Sequence, residues 1–151
     1  MLGVIQRVSE AEIHVGGERI SRIGGGVLLL VGIRADDAEK DVSFMADKTA
    51  NLRIFPDEEG NLNRSLLDVK GEALVVSQFT LLGDTRRGRR PSFSDAAKPE
   101  QAEPLYRSLI DAIQSLGVPV KEGKFRAMMD VRFVNSGPVT VIVNSKEKKW
   151  N

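Results

Sequence analysis

The chain has 151 residues, 22 Lys and Arg against 21 Asp and Glu, a formal charge of +1, one histidine (His14) and no cysteine. Without cysteine there are no disulfides, thiolate nucleophiles, cysteine-bound zinc or iron–sulfur clusters, and one histidine excludes a three-histidine metal site within the chain. The length and the 41% hydrophobic content predict one globular domain over 1-151, and a balanced charge leaves any nucleic-acid partner to local clustering.

The first thirty-odd residues read as strands. Ile5 and Val8, then Ile13 and Val15, lie in short β-compatible runs, and Gly16-Gly17 between Glu12–Val15 and Glu18–Ile23 is a two-residue hairpin signal. Gly24-Gly25-Gly26 precedes a strand. A dinucleotide-binding glycine loop follows one, so these glycines read as a turn. The longest apolar run, Val27–Ile33, is a buried strand far short of the ~20 residues that span a bilayer. The N-terminus shows no basic region followed by a long apolar stretch, so the expectation is no signal peptide and a cytoplasmic protein.

Asp36 with Glu39 three residues on resembles a capping box, and Val42, Met45, Ala46, Thr49 and Leu52 recur at helical spacing. An acidic turn, Asp57–Gly60, follows Arg53–Pro56. Glu72–Phe79 is the strongest later strand, and the polar, Gly- and Pro-punctuated stretch Gly83–Lys98 is a long loop. A second helix places Leu105, Leu109, Ile110, Ile113 and Leu116 on one face and stops at Gly117. Pro104 requires either a late start or a bent first turn. Two strands separated by Gly137-Pro138 close the chain, ahead of a basic tail, Lys146–Lys149.

Three constellations remain open on pattern alone. Arg86-Arg87-Gly88-Arg89-Arg90 puts four guanidiniums in five residues, either a solvated loop or a phosphate-binding one. Ser77-Gln78-Phe79-Thr80-Leu81 ends the best strand with polar side chains, either satisfied structural groups or chemistry. Asn135-Ser136-Gly137-Pro138-Val139-Thr140 reads as a turn with proline at the start of a strand. His14 reads as a structural residue, and no spacing around it makes a metal site.

The second and third of these segments resemble the two signature motifs of D-aminoacyl-tRNA deacylases. Gln6-Arg7-Val8, Asn51–Phe55, Arg90-Pro91-Ser92-Phe93 and Leu105-Tyr106 extend the resemblance almost end to end. It departs locally. Phe125-Arg126-Ala127 stands where the family usually has Phe-Gly-Ala, and Ser136 where it generally has Asp before Gly-Pro.

The resemblance implies a mixed α/β fold of two β layers, packed barrel-like, with two main helices outside. It implies an enzyme that hydrolyses the ester joining a D-amino acid, or glycine mischarged on tRNA-Ala, to the terminal adenosine of tRNA, rejecting L-aminoacyl-tRNA. It further implies a homodimer with active sites at the interface and no cofactor or metal. Ser77, Gln78, Phe79 and Thr80 would form the catalytic segment. Gly137 and Pro138, joined by a cis bond, would enter from the partner subunit to select chirality, with Arg7 holding them. Ala102 would be a pocket wall, and Phe125 and Met129 adenine contacts.

The chemistry of the residues narrows the mechanism. Ester hydrolysis needs a water nucleophile, a proton acceptor and a place for the oxyanion. Thr80 as a covalent nucleophile would need an adjacent base, and the motif offers none. The reading is therefore substrate-assisted hydrolysis through the ribose 2′-hydroxyl, with amides around Phe79 and Thr80 for the oxyanion. Arg86, Arg87, Arg89 and Arg90, with the Lys146–Lys149 tail, would contact acceptor-stem phosphates without reading sequence. The rivals are a non-catalytic RNA-binding module, a structural homodimer, and an aminoacyl-ester hydrolase without strict chirality.

Overall fold

The computed structural model describes residues 1–146. The tail beyond Lys146 lies outside the described residues. β1 (Leu2–Val15) turns at Gly16-Gly17 into β2 (Glu18–Ile23), and β3 (Gly26–Gly32) follows. Gly16 and Gly17 have φ of 58° and 81°, the paired left-handed geometry that a two-residue hairpin turn requires. The short β runs expected at the start are one strand of 14 residues. Its first half pairs with β3, its second half with β2, and its other edge with β8 (Asp130–Asn144).

β3 leads through α1 (Glu39–Asn51), a small β4–β5 hairpin (Phe55–Pro56 and Leu62–Arg64) and into β6 (Glu72–Ser77), parallel to β3. After a 3-10 turn (Phe79–Leu82) and α2 (Pro99–Ser115), β7 (Val120–Glu122) adds in parallel to β6. The result is a mixed α/β fold whose six-stranded sheet, ordered β2-β1-β3-β6-β7 with β8 on β1, bends into a nearly closed barrel.

β3 and β6, at the centre of the sheet, are buried on both faces, which explains their unbroken apolar runs. Val27, Leu29, Val31, Ala73 and Val75 point to the two helices, joined by Val42, Met45 and Ala46 of α1 and Tyr106, Leu109 and Ile113 of α2. Leu28, Leu74 and Val76 point the other way, to Val8, Ala11, Ile13 and Ile23.

Three expectations change. The first concerns α1, which is not capped by Asp36 and Glu39. Its N-cap is Ala38, whose N–H donates to the Asp41 carboxylate at 2.9 Å, so the carboxylate three residues inside the helix does the capping alone. Asp37 turns inward instead, accepting from the Met1 ammonium at 2.6 Å and the Arg34 N–H at 2.7 Å. The second is that α2 starts at Pro99 and runs through Pro104. Leu116 ends it 42% exposed, off the buried face.

The third concerns the chain end. Gly137-Pro138 is not a turn between two strands; β8 runs continuously through it, with register irregularities opposite Gln6, Val8 and Glu10. Side chains satisfy the interrupted ladder. The Asn135 carboxamide oxygen accepts the Val139 N–H at 3.2 Å, and Arg7 donates to the Ser136 carbonyl. A bulged strand supplied with local partners has no need to reverse.

Candidate active site

Two segments carry the polar side chains singled out in the sequence. The first begins where β6 ends. Ser77 is the strand's last residue, paired with Val31. Gln78 still donates its N–H to the Val31 carbonyl at 2.8 Å, and the chain then coils into the 3-10 turn. Strand alternation therefore stops at Gln78. Phe79 is 55% exposed, and Thr80 is also exposed.

The turn is seated on Gly32. A Cβ there would lie 3.1 Å from Leu82 Cγ and 3.2 Å from the Gln78 carbonyl oxygen. Leu81 donates to Gln78 and Gly83 to Thr80, while no hydrogen bond among the described residues uses the amides of Phe79 and Thr80. Gln78 Nε2 donates to Thr80 Oγ1. A carboxamide N–H cannot take a proton from a hydroxyl, so this contact orients Thr80 without activating it.

The second segment is the bulge in β8. The Gly137–Pro138 peptide bond is cis and Gly137 has φ 125°. Both residues are exposed. Arg7, from β1, binds the segment from beneath. Its Nε donates to the Ser136 carbonyl at 3.0 Å and its Nη1 to the Ile54 carbonyl at 2.8 Å. Asn135 Nδ2 donates to Thr140 Oγ1 at 2.9 Å, completing a side-chain brace across the bulge.

Ala102 is 7% exposed and lies in the helix-side core. Phe125 is half-buried, 5.7 Å from the Tyr106 ring at a tilt of 32°. Tyr106 is buried and donates to the Val75 carbonyl at 2.8 Å, and burial pushes its phenol above the usual range. Met129 packs its sulfur beside Gly123, where a Cβ would lie 2.8 Å away. Between them, Arg126 has φ 66°. The departure from Phe-Gly-Ala thus places a long side chain in the left-handed region that glycine favours.

The basic elements divide. Arg86 forks onto Asp84, with Nε to Oδ1 at 2.9 Å and Nη2 to Oδ2 at 2.7 Å. The Arg86 guanidinium and amide hold Asp84 down at about 2. Arg87, Arg89 and Arg90 make no side-chain hydrogen bond or ion pair among the described residues. Lys146 departs from the expected phosphate role. Its Nζ sits 3.2 Å from Asp41 Oδ2 and 3.4 Å from Asp37 Oδ1. His14 binds Glu12 at 2.8 Å within β1, away from both motifs.

A concavity of about 560 Å³ is lined by Asp84, Arg86, Arg87 and Ser92 rather than by the signature segments. Sequence reasoning missed the Asp84 fork and the Ile54 carbonyl. The Asp-x-Arg spacing was a signal for the first. A main-chain acceptor 47 residues from Arg7 left none for the second.

A family model described as D-Tyr-tRNA(Tyr) deacylase matches residues 4–144. A D-aminoacyl-tRNA deacylase of Roseiflexus sp. (strain RS-1) is 59% identical over 145 residues, covering 96% of this chain and 94% of that one. A D-aminoacyl-tRNA deacylase of Thermodesulfovibrio yellowstonii is 53% identical over 146 residues, covering 97% and 100%. A solved structure described as c-Myc DNA unwinding element binding protein superposes with a TM-score of 0.93 at 42% identity, covering 97% of this chain and 100% of that one. No helix among the described residues is long and apolar enough to cross a membrane. Matched over nearly its whole length by sequence, the chain belongs to the D-Tyr-tRNA(Tyr) deacylase family, a family of enzymes.

Proposed function

We propose that this single-domain, cytoplasmic enzyme hydrolyses the ester between a D-amino acid and the 3′-terminal adenosine of tRNA. We further propose that it accepts glycine mischarged on tRNA-Ala, rejects L-aminoacyl-tRNA, and requires no cofactor or metal. The observation that carries this reading is the exposed turn at Gln78–Thr80, together with a Gly137-Pro138 segment held by Arg7, in a chain of this family.

Water adds to the ester carbonyl carbon, and the oxyanion is met by the amides of Phe79 and Thr80. The bond to the ribose 3′ oxygen then breaks, and that oxygen takes up the proton released by the water. The ribose 2′-hydroxyl positions the water. Gln78 and Ser77 shape the turn, and Phe125 and Met129 flank the adenine. Ala102 backs the pocket wall.

The enzyme works as a homodimer in which Gly137 and Pro138 of the partner subunit enter the cleft. Their main-chain oxygens accept from the substrate's amino group and occupy the space an L side chain would need. A D side chain points outward, so its identity is not read. A roughly 10⁴-fold preference corresponds to about 5.5 kcal/mol, which steric exclusion can supply and one methylene's hydrophobic contact cannot.

The test is incubation with D- and L-aminoacyl-tRNA, following free amino acid, for the wild type and Thr80→Ala. Cleavage of the D ester with retention of the L ester supports the reading. Complete loss in Thr80→Ala with tRNA binding intact would make Thr80 the nucleophile. Cleavage of neither ester by the wild type removes the proposal.

A further inference from the structure

Phe79 and Phe93 stand edge to face, their ring centroids 5.1 Å apart and their planes at 73°. They are 55% and 37% exposed, and neither belongs to the two core clusters. The pair therefore leaves aromatic surface in solvent beside Thr80. The Phe93 ring packs on Gly83, where a Cβ would meet Phe93 Cε1 at 3.0 Å, the Thr80 carbonyl at 3.2 Å and Pro91 Cβ at 3.4 Å.

The loop carrying Phe93 is pinned at both ends. Asp84 and Ser92 exchange backbone hydrogen bonds of 2.7 and 3.0 Å, and Arg86 closes on Asp84. Farther along, Asp95 accepts from Ala35, and Ala97 donates to Ile33. Between the pins, Arg87, Arg89 and Arg90 project from an exposed tip. One built turn thus presents an aromatic face and three cations with no partner among the described residues.

Aromatic faces set among guanidiniums suit single-stranded nucleic acid. Bases stack on the rings whatever their identity, and phosphates follow the cations. An apolar peptide would fit the rings but leave the three guanidiniums without partners. We propose that Phe93, backed by Phe79, is a stacking platform for an unpaired base of the RNA 3′ end upstream of the terminal adenosine, with Arg87, Arg89 and Arg90 on the adjoining phosphates. The proposal rests on the deacylase reading and adds to it a second point of hold, outside the adenosine pocket assigned to Phe125 and Met129.

The experiment compares D-aminoacyl-tRNA with D-aminoacyl-adenosine, which lacks every upstream nucleotide. Phe93→Leu keeps most of the volume and removes the ring. It should raise KM for the tRNA about tenfold with kcat unchanged, leave the adenosine ester unaffected, and be reversed by Phe93→Trp. Unchanged KM on the tRNA overturns the platform, and so does an equal loss on both substrates. A fall in sedimentation mass of Phe93→Leu at unchanged tRNA affinity also overturns it, because the rings would then serve a second copy of the chain. If the wild type cleaves neither ester, the deacylase reading fails separately. Binding of uncharged tRNA then still decides the platform. Phe93→Leu must weaken intact tRNA and leave tRNA trimmed of its unpaired 3′ nucleotides unaffected; any other pattern overturns it.

Discussion

Arg7 Nε and the Ser136 carbonyl are 3.0 Å apart across the β1–β8 pair, where the strand ladder is interrupted. The same guanidinium reaches the Ile54 carbonyl at 2.8 Å, so one planar group ties the bulge to the segment that follows α1. Lysine, with one nitrogen, cannot hold two acceptors in that fixed fork. Arg7→Lys should therefore fold, at a cost of about 1–2 kcal/mol in urea denaturation, and should lose at least tenfold of its preference for D- over L-aminoacyl-tRNA. A variant with wild-type preference would show that Arg7 serves stability alone.

Gly137 gives a second handle on the same segment. A Cβ added there would lie 2.8 Å from Arg7 Nη2 and 3.1 Å from the Val139 nitrogen, at a φ of 125°. Gly137→Ala should destabilise by about 1–3 kcal/mol and displace the segment. Gln78→Ala should impair the other motif. If each active site joins the turn of one subunit to the bulge of its partner, a mixed dimer of the two variants holds one intact site and one doubly altered site. Refolding them together should restore up to half the wild-type turnover per mixed dimer. No recovery in verified mixed dimers means that each site is built within one protomer.

Arg126 sits at φ 66° in place of the glycine usual in the family. The left-handed region costs an L residue roughly 1–2 kcal/mol, and glycine's greater unfolded-state freedom takes back about half of that. Arg126→Gly should raise stability by about 0.5–1 kcal/mol, a shift of a few degrees in Tm by calorimetry. A lower Tm would mean that the arginine side chain contributes a stabilising contact larger than the backbone penalty.

How far the residues foretold the structure depends on the range of the interactions. The Gly16-Gly17 hairpin, the β3 and β6 strands and both helices were legible because their signals are local: turn glycines, apolar runs and helical spacing. The continuity of β8 through Gly137-Pro138 was not, because it depends on Arg7 and Asn135 satisfying the bulge, and Arg7 is 129 residues from Ser136. The α1 cap was misplaced because three aspartates, Asp36, Asp37 and Asp41, compete for one helix start. The buried Met1 ammonium draws Asp37 away. The motifs of the candidate site could be named from the sequence. Gln78 donating to Thr80, and Arg86 turning back on Asp84, needed coordinates.

That division within the arginine loop changes what salt should do. Each phosphate neutralised contributes a slope of about −0.7 to −0.9 in log affinity against log salt. Replacing Arg87, Arg89 and Arg90 together with Gln should flatten the slope for uncharged tRNA by about 2–3 in filter-binding titrations. Arg86→Gln should change it by less than 1, because that guanidinium already faces Asp84. Equal effects from all four arginines would show that the fork opens when RNA binds.

Asp41 is a buried carboxylate that contributes to the response to acid. It is 2% exposed, and although burial opposes its ionisation, the Ser145 hydroxyl at 2.6 Å, the Ala38 amide at 2.9 Å and the Lys146 ammonium at 3.2 Å outweigh that and hold its carboxyl at about 2. A carboxylate depressed from 3.8 in the unfolded chain contributes stability that is complete above that value and disappears as pH falls through about 2. The contribution is about 2 kcal/mol at neutral pH. The nearby Met1 ammonium shifts down, chiefly by burial against the pull of Asp37. It therefore costs stability below the ordinary amine value of 8.0. Urea denaturation at pH 7, 4 and 2.5 should show Asp41→Asn less stable than the wild type by about 2 kcal/mol at pH 7, with the gap closing towards pH 2.5. A gap that stays constant across that range would assign the loss to the altered hydrogen bonds of the cap rather than to the charge.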